Sequence, residues 1–235
     1  MSRPRKRRSR RLQDRDYEIL EHIFQYRVTT REVLRRQFFS DSEPNAVTKV
    51  TSRLVDGRFL QRFPLPGNSS YFRLGPAGVR IVGGQRKCAE PLNIQSLYNN
   101  LGILGFCFGS SNNRRRMTVA EVKADLPELL QKKVEPTQYV LDAGEQGSRL
   151  TFVRVDGGGT GDHVVRKIRA DIQKRIANPL CASLMQDRQF AIACVTYCDT
   201  KKADIDRRLS VEALACPVFV EVVPLLNDLL GTFYE

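Results

Sequence analysis

Long apolar runs and histidines are what this sequence has least of. No apolar run approaches the roughly 18 residues of a membrane span, so no membrane partner is expected. The opening MSRPRKRRSRR is basic but no apolar segment follows it, which argues against a secretory signal. Two histidines, His22 and His163, leave few ways to assemble a hydrolase triad, and no G-x-S-x-G is present. His163 stands beside Asp162 at an expected helix start and reads as a cap-region residue. Six cysteines occur, at 88, 107, 181, 194, 198 and 216, and none forms C-x-x-C, so zinc-ribbon or finger spacing is excluded. They read as buried free thiols of a reducing cytoplasm. GGGTGD at 157–162 lies between a strand and a helix, yet it fits neither G-x-x-x-x-G-K-[ST] nor G-x-G-x-x-G. Nucleotide binding is therefore not expected there. At 41% apolar and 27% charged, composition is that of an ordinary soluble chain of one large or two small domains.

What is present is positive charge in one place. Residues 1–87 hold 20 Lys+Arg against 8 Asp+Glu, whereas residues 88–235 hold 18 of each. The net +12 belongs wholly to the first third. Arg3, Arg5, Lys6, Arg7, Arg8, Arg10 and Arg11 supply +7 of it as a tail over residues 1–11. A basic module joined to a neutral one points to a polyanionic partner for the first part.

Behind the tail, LQDRDYEILEHIFQYR places Tyr17, Leu20, Ile23 and Phe24 at helical spacing, with acids at the helix start where the dipole favours them. Thr29 or Thr30 suits the N-cap of REVLRRQFF. Pro44 suits the first turn of a third helix through NAVTKVTSRLVDG, with Gly57 as C-cap. Two short strands, 58–63 and 70–74, flank the turn PLPGNSS. GPAGVRIVG reads as one more short helix or the exit from the hairpin. Three helices followed by a hairpin is the order of a winged helix-turn-helix, expected over 12–86. In such a domain the third helix would enter the major groove. Asn45 would then address adenine, Lys49 and Arg53 guanine or phosphate, and Thr48 and Ser52 either. Arg58, Arg62 and Arg73 on or beside the hairpin would take phosphates or the minor groove, and Arg31, Arg35 and Arg36 on the second helix would touch the DNA backbone.

Three segments, RDYEILEHIFQYRVTTREVLRRQFF, AVTKVTSRLVDGRFLQRF and SSYFRLGPAGVRIV, resemble the N-terminal winged helix of the bacterial replication-relaxation protein family. The resemblance covers residues 12–83. It implies a plasmid- or mobile-element-linked role in transcription regulation or replication.

Over 87–235 helices and strands alternate, arguing for a mixed-sheet α/β domain. The expected elements are a helix over 92–105, a loop NNRRR, a helix MTVAEVKADLPELL broken at Pro127, strands 137–142 and 149–156 around AGEQGS, a helix from His163, a buried strand FAIACVTYC, a helix TKKADIDRRLSVEAL, a strand PVFVEVV and a helix PLLNDLLG. The last reads as core packing, with a dimer surface as the alternative. The family resemblance implies a degenerate PD-(D/E)xK restriction-endonuclease-like fold, in which Asp142, Asp156 and Lys167 fall in the family's order. Arg154 departs from the pattern by replacing its Glu. If the domain were a metal-dependent nuclease, Asp142 and Asp156, with Glu121 beside them, would hold Mg2+ and Lys167 would neutralise phosphorane charge. A cation at 154 opposes that. The favoured reading is a protein that binds double-stranded DNA as a homodimer, with a C-terminal domain that needs no cofactor, performs no catalysis and serves assembly or partner docking. The plainest account of Asp142 and Asp156 is as strand-end turn residues. An adaptor that contacts RNA or a protein through the hairpin is a third reading.

Overall fold

The computed structural model describes residues 11–67, 69–109, 113–130, 137–144 and 147–231. Contacts divide the chain into two units, Met1–Pro64 with Ser69–Glu90 and Leu65–Asn68 with Pro91–Glu235. Tail residues Arg3, Arg5, Lys6, Arg7, Arg8 and Arg10 lie outside the described residues, while Arg11 is exposed.

The first unit opens with α1 (Asp14–Tyr26), where Gln13 and Asp16 form a capping box. Its buried stripe is Ile19, Leu20, Ile23 and Tyr26. Tyr17 and Phe24, expected on that stripe, stand at its margins 43% and 37% exposed. Thr30 caps α2 (Arg31–Phe38), its Oγ1 accepting from Val33 N–H at 3.3 Å. Val47, Thr51 and Leu54 of α3 (Ala46–Asp56) are buried beneath it. The hairpin β2 (Leu60–Pro64) and β3 (Ser70–Leu74) pairs Leu60 with Leu74 and Pro64 with Ser70. A two-residue strand, β1 (Thr29–Thr30), adds to the other side of β3 and makes the sheet order β1-β3-β2. It is too short for a sequence pattern to reveal. GPAGVRIV contains α4 (Pro76–Ile81). Two glycines let it dock on the turn before β2: a Cβ at Gly75 would lie 2.3 Å from the Arg58 carbonyl oxygen, and one at Gly78 2.2 Å from that of Phe59. The expected boundary after residue 86 falls inside a 3-10 turn, Arg86–Ala89, that belongs to this unit.

The second unit is a mixed five-stranded sheet, β4-β5-β6-β7-β8, with helices on both faces. It begins with α5 (Ile94–Phe108) and β4 (Asn113–Arg116). The loop expected at NNRRR is thus an edge strand: alternation hides Arg114 and Arg116 and exposes Arg115. Next come α6 (Val119–Asp125), capped by Thr118, and a 3-10 turn at Pro127–Leu130. The antiparallel hairpin is β5 (Tyr139–Gly144) and β6 (Gly147–Val155). Then follow α7 (Gly161–Ile176), α8 (Pro179–Gln186), β7 (Phe190–Thr196), α9 (Asp199–Leu209), β8 (Val218–Val222) and α10 (Leu225–Gly231). The helix α8, not expected, starts where Asn178 and Pro179 stop α7. Asn178 Oδ1 caps it through Cys181 N–H at 3.2 Å, and Pro179 occupies its first turn. β7 and β8 run parallel to β6.

On one face of this sheet Tyr139, Leu150, Phe152, Phe190, Ile192, Cys194 and Val220 pack with Val164, Ile168 and Ile172 of α7, Met185 of α8 and Ile205 of α9. On the other lies α5, whose Gly102 and Gly105 admit Val155 and Val223 so closely that a Cβ would meet them at 2.7 and 2.4 Å. Among the described residues, no helix is long and apolar enough to cross a membrane.

One buried group makes the first unit acid-sensitive. His22 shares a 3.0 Å hydrogen bond with Thr29 Oγ1 and packs edge-on against Phe38, tying α1 to β1 and α2. Burial pulls its pKa from 6.5 down to about 4. The imidazole stays neutral in the folded chain while the unfolded chain takes up a proton below pH 6.5, so the stabilisation is complete above pH 6.5 and fades toward pH 4. About 2 kcal/mol should be lost by pH 5, where ordinary carboxylates are still ionised. Thermal melts at pH 7 and 5 should show this drop in wild type and a smaller one in His22→Gln. An equal drop in both would place the acid sensitivity elsewhere.

Candidate nucleic-acid interface

The polar face expected of α3 is outward. Asn45, Lys49 and Ser52 are exposed and Thr48 half-exposed, opposite buried Val47, Thr51 and Leu54. Asn45 occupies the N-cap position without spending its side chain on a cap bond. Arg31, Arg35 and Arg36 of α2 are exposed, and Arg36 is paired with Glu32 one turn away. Arg62 on β2 is exposed, with its Nε donating to Ser70 Oγ at 2.9 Å. Arg58 is exposed at the turn between α3 and β2.

Two of the arginines assigned to DNA are structural instead. Arg53 leaves the outward face of α3 and donates from Nη2 to Asp16 Oδ1 at 2.5 Å. Asp16 is 1% exposed and also accepts from Gln13 N–H at 2.8 Å, so one carboxylate closes α1 and fastens α3 to it. Arg73 is 1% exposed. Alternation along β3 turns it away from Phe72 and Leu74, and it donates to the carbonyls of Arg27 (3.4 Å) and Cys88 (3.1 Å). Burial, and then the Arg27 cation, lowers its pKa from the usual arginine value. The bond to Cys88 is what draws the 3-10 turn into this unit. Neither side chain is placed to meet phosphate.

Arg58 has a different peculiarity. Gly57, expected to end α3, stays right-handed at φ −79°. The left-handed position falls on Arg58, at φ 61°. Its backbone is fully used: Arg58 N–H donates to Val55 C=O at 2.9 Å, and its own C=O accepts from Ala77 N–H at 3.1 Å. Glycine, with no Cβ, adopts this conformation without strain, whereas an L-residue such as Arg58 carries a cost of about 1 kcal/mol there. The turn thus carries a cation where the backbone favours no side chain at all.

The residues set out for a magnesium-dependent nuclease do not share a site. Asp142 pairs with Arg149 across the hairpin, and Asp156 lies seven residues beyond Arg149 along the same strand. Seven residues of strand span about 23 Å, and an odd step puts the two carboxylates on opposite faces of the sheet. Asp142 lies on the α5 face, bonded to Arg149 at 3.0 Å and Arg114 at 3.6 Å. Asp156 is on the α7 face, where Oδ1 accepts from Gly158 N–H (3.1 Å) and Oδ2 from Thr196 Oγ1 (3.2 Å). Burial raises its pKa despite the opposing pull of Lys201 and these donors. It thereby fixes the Gly-rich loop as a strand-end residue. Lys167 is exposed on α7. Glu121 completes the capping box of α6 and pairs with Arg115, so it too is occupied. Arg154 pairs with Asp171 of α7 and so points at a helix. His163 stands in the first turn of α7 behind the cap Thr160, and the nearby Lys167 cation, then burial and Arg166, lowers its pKa.

Arg114 is the residue that sequence reasoning missed. Its guanidinium bonds Glu221 of β8 through both terminal nitrogens (2.8 and 2.6 Å), donates to Phe106 C=O at 3.0 Å and stacks 3.9 Å from the Phe106 ring centre. Its only sequence signal was membership of a triple-arginine run, which reads as a solvated loop.

Arg53→Ala should cost about 3 kcal/mol in urea unfolding, because it strands the Asp16 carboxylate in the interior. It should leave the salt dependence of DNA binding unchanged; a flatter dependence would return Arg53 to the contact surface. Arg58→Gly should do the opposite, raising stability by about 1 kcal/mol while weakening DNA binding. Set beside protein-family models, curated proteins and solved structures, the chain matches none of them.

Proposed function

We propose that the first unit is a winged helix-turn-helix that binds double-stranded DNA, with α3 in the major groove and the β2–β3 hairpin as the wing. The observation that carries this reading is the outward face of α3. Asn45, Lys49 and Ser52 are presented to solvent on a helix fixed from behind by Val47, Leu54 and the Arg53–Asp16 bond. The element order helix, short strand, helix, helix, hairpin and the sheet order β1-β3-β2 support it. Arg31, Arg35, Arg58 and Arg62, exposed on the flanking elements, supply phosphate contacts, and the basic tail adds more. The resemblance to replication-relaxation proteins fits a regulator or replication accessory factor of a mobile element.

The second unit follows the order of the nuclease-like pattern, with Asp142 on β5, Asp156 after β6, a Gly-rich turn and then a helix with Lys167. Its carboxylates serve internal bonds on opposite faces of the sheet. The reading that fits is a scaffold for assembly or partner docking, and a nuclease built on Asp142, Asp156 and Lys167 is not supported.

Electrophoretic shifts with duplex DNA over a salt series test the proposal. Affinity should fall steeply with salt, as each neutralised phosphate releases counterions. Lys49→Ala should weaken binding, by about 1–3 kcal/mol if it reads a base and with a salt slope smaller by about 1 if it holds a phosphate. Absence of binding at low salt would end the DNA reading, and better competition by single strands would favour an RNA adaptor. Supercoiled plasmid with Mg2+ or Mn2+ should remain intact. Nicking abolished by Asp142→Ala would restore the nuclease.

A further inference from the structure

The two edges of the five-stranded sheet are unlike. β4 carries Asn113, Arg114, Arg115 and Arg116, and charged residues on an edge strand discourage pairing with another chain. β8 reads Val218-Phe219-Val220-Glu221-Val222 and contains one charged residue, Glu221, which is already bonded to Arg114. Its side chains are mostly half-exposed, with only Val220 buried.

The hydrogen-bond pattern says which of its backbone groups face outward. Ile192 N–H donates to Pro217 C=O at 3.0 Å, and Val223 N–H donates to Thr196 C=O at 2.8 Å. With the parallel register running from Ile192↔Val218 to Thr196↔Val222, the odd-numbered residues of β8 turn their N–H and C=O groups to β7. Those of Val218, Val220 and Val222 therefore point away from the sheet. Among the described residues, no backbone hydrogen bond reaches them.

The outward-bonding positions of this edge, Val218, Val220 and Val222, are symmetric about Val220, whereas Phe219 and Glu221 are not alike. Two antiparallel copies related by a two-fold axis through Val220 would pair Val220 with itself and Val218 with Val222. Each of those pairings joins residues with outward N–H and C=O groups, giving six reciprocal backbone bonds and setting valine against valine at the hydrogen-bonded pairs, while Phe219 of each copy falls opposite Glu221 of the other. Pro224, which by the same alternation would turn its N–H outward, has none to offer, and it ends the outward ladder after Val222. We infer that β8 is a homodimerisation edge at which a second copy of this chain continues the sheet antiparallel, with Val218 of each copy facing Val222 of the other.

This surface serves the assembly role proposed for the second unit, but it stands without the DNA reading, because dimerisation is measured with no DNA present. Strand pairing over five residues is small against the area of permanent interfaces, so a dissociating dimer is expected. Analytical ultracentrifugation of the full chain over a concentration series should show a monomer–dimer equilibrium. Val222→Pro removes an outward N–H while sparing every bond to β7, and should weaken the dimer about tenfold or more. Val218→Glu and Val222→Lys should each weaken it too. The double variant Val218→Glu/Val222→Lys sets glutamate against lysine across the two-fold and should recover most of the loss, which a merely misfolded chain would not do. Circular dichroism melts verify that each variant is folded. A wild type that stays monomeric up to its solubility limit overturns the inference. So does a dimer indifferent to Val222→Pro, or a double variant no better than its singles.

Discussion

A guanidinium taken out of water needs hydrogen-bond or ion-pair partners, and this chain faces that constraint repeatedly. Arg73, Arg114, Arg116 and Arg175 are all buried, and Arg53 is nearly so. Each is answered differently. Arg53 takes a capping carboxylate and Arg73 two carbonyls. Arg114 takes a glutamate from the far edge strand and an aromatic ring, and Arg116 takes Asn100 and the Thr137 carbonyl. Arg175 lies 3.3 Å from the Phe152 ring centre, with Tyr139 and Asp171 as partners. A buried pair of this kind contributes little net stability over an apolar equivalent, but breaking it is costly. These bonds consequently fix which elements lie together. They join α1 to α3, β3 to the turn that closes the first unit, β4 to β8, and α7 to the sheet.

That use of arginine changes how the charge of the first third is counted. The tail aside, the basic excess of residues 12–87 looked like one surface property. Arg53 and Arg73 belong to the interior, and Arg36 is held by Glu32. Of the exposed cations that remain, Arg31, Arg35, Lys49, Arg58 and Arg62 come from the second helix, the third helix and the hairpin with the turn before it, while Arg15, Arg80, Arg86 and Lys87 lie on α1, on α4 and in the 3-10 turn. Counterion release depends on exposed charges alone, so on the proposed reading this unit would make fewer phosphate contacts than its composition suggests.

Much of the fold was legible because periodicity and capping are local. The three opening helices, the Thr30 cap, the hairpin at PLPGNSS and the strand–helix alternation from Tyr139 onward follow from spacing. β1 and β4 were not legible, since two threonines or a run of arginines become strands only when a neighbouring strand offers its ladder. Which arginines are buried was equally hidden, because the partners lie as far as 107 residues away. The separation of Asp142 from Asp156 is another matter. Two strands joined by a turn after Asp142 already put that residue at the turn and Asp156 at the far end. The order of residues suggested a shared site, and the geometry of an antiparallel hairpin, available from the same reading, forbade it.

The run Asn113–Arg116 shows how far charge and structure can part. Read as composition, its three arginines are interchangeable units of +1, and lysine would serve at each. Read as a pleated strand, the middle one alone faces water, and its neighbours are shaped planar forks, one of them bridging to a strand at the opposite edge. Lysine at 115 keeps everything that matters there. Lysine at 114 keeps the charge but has no second donor arm for Glu221 and no flat face for Phe106. Along these residues, the exchange most often tolerated as conservative is tolerable at every second position only.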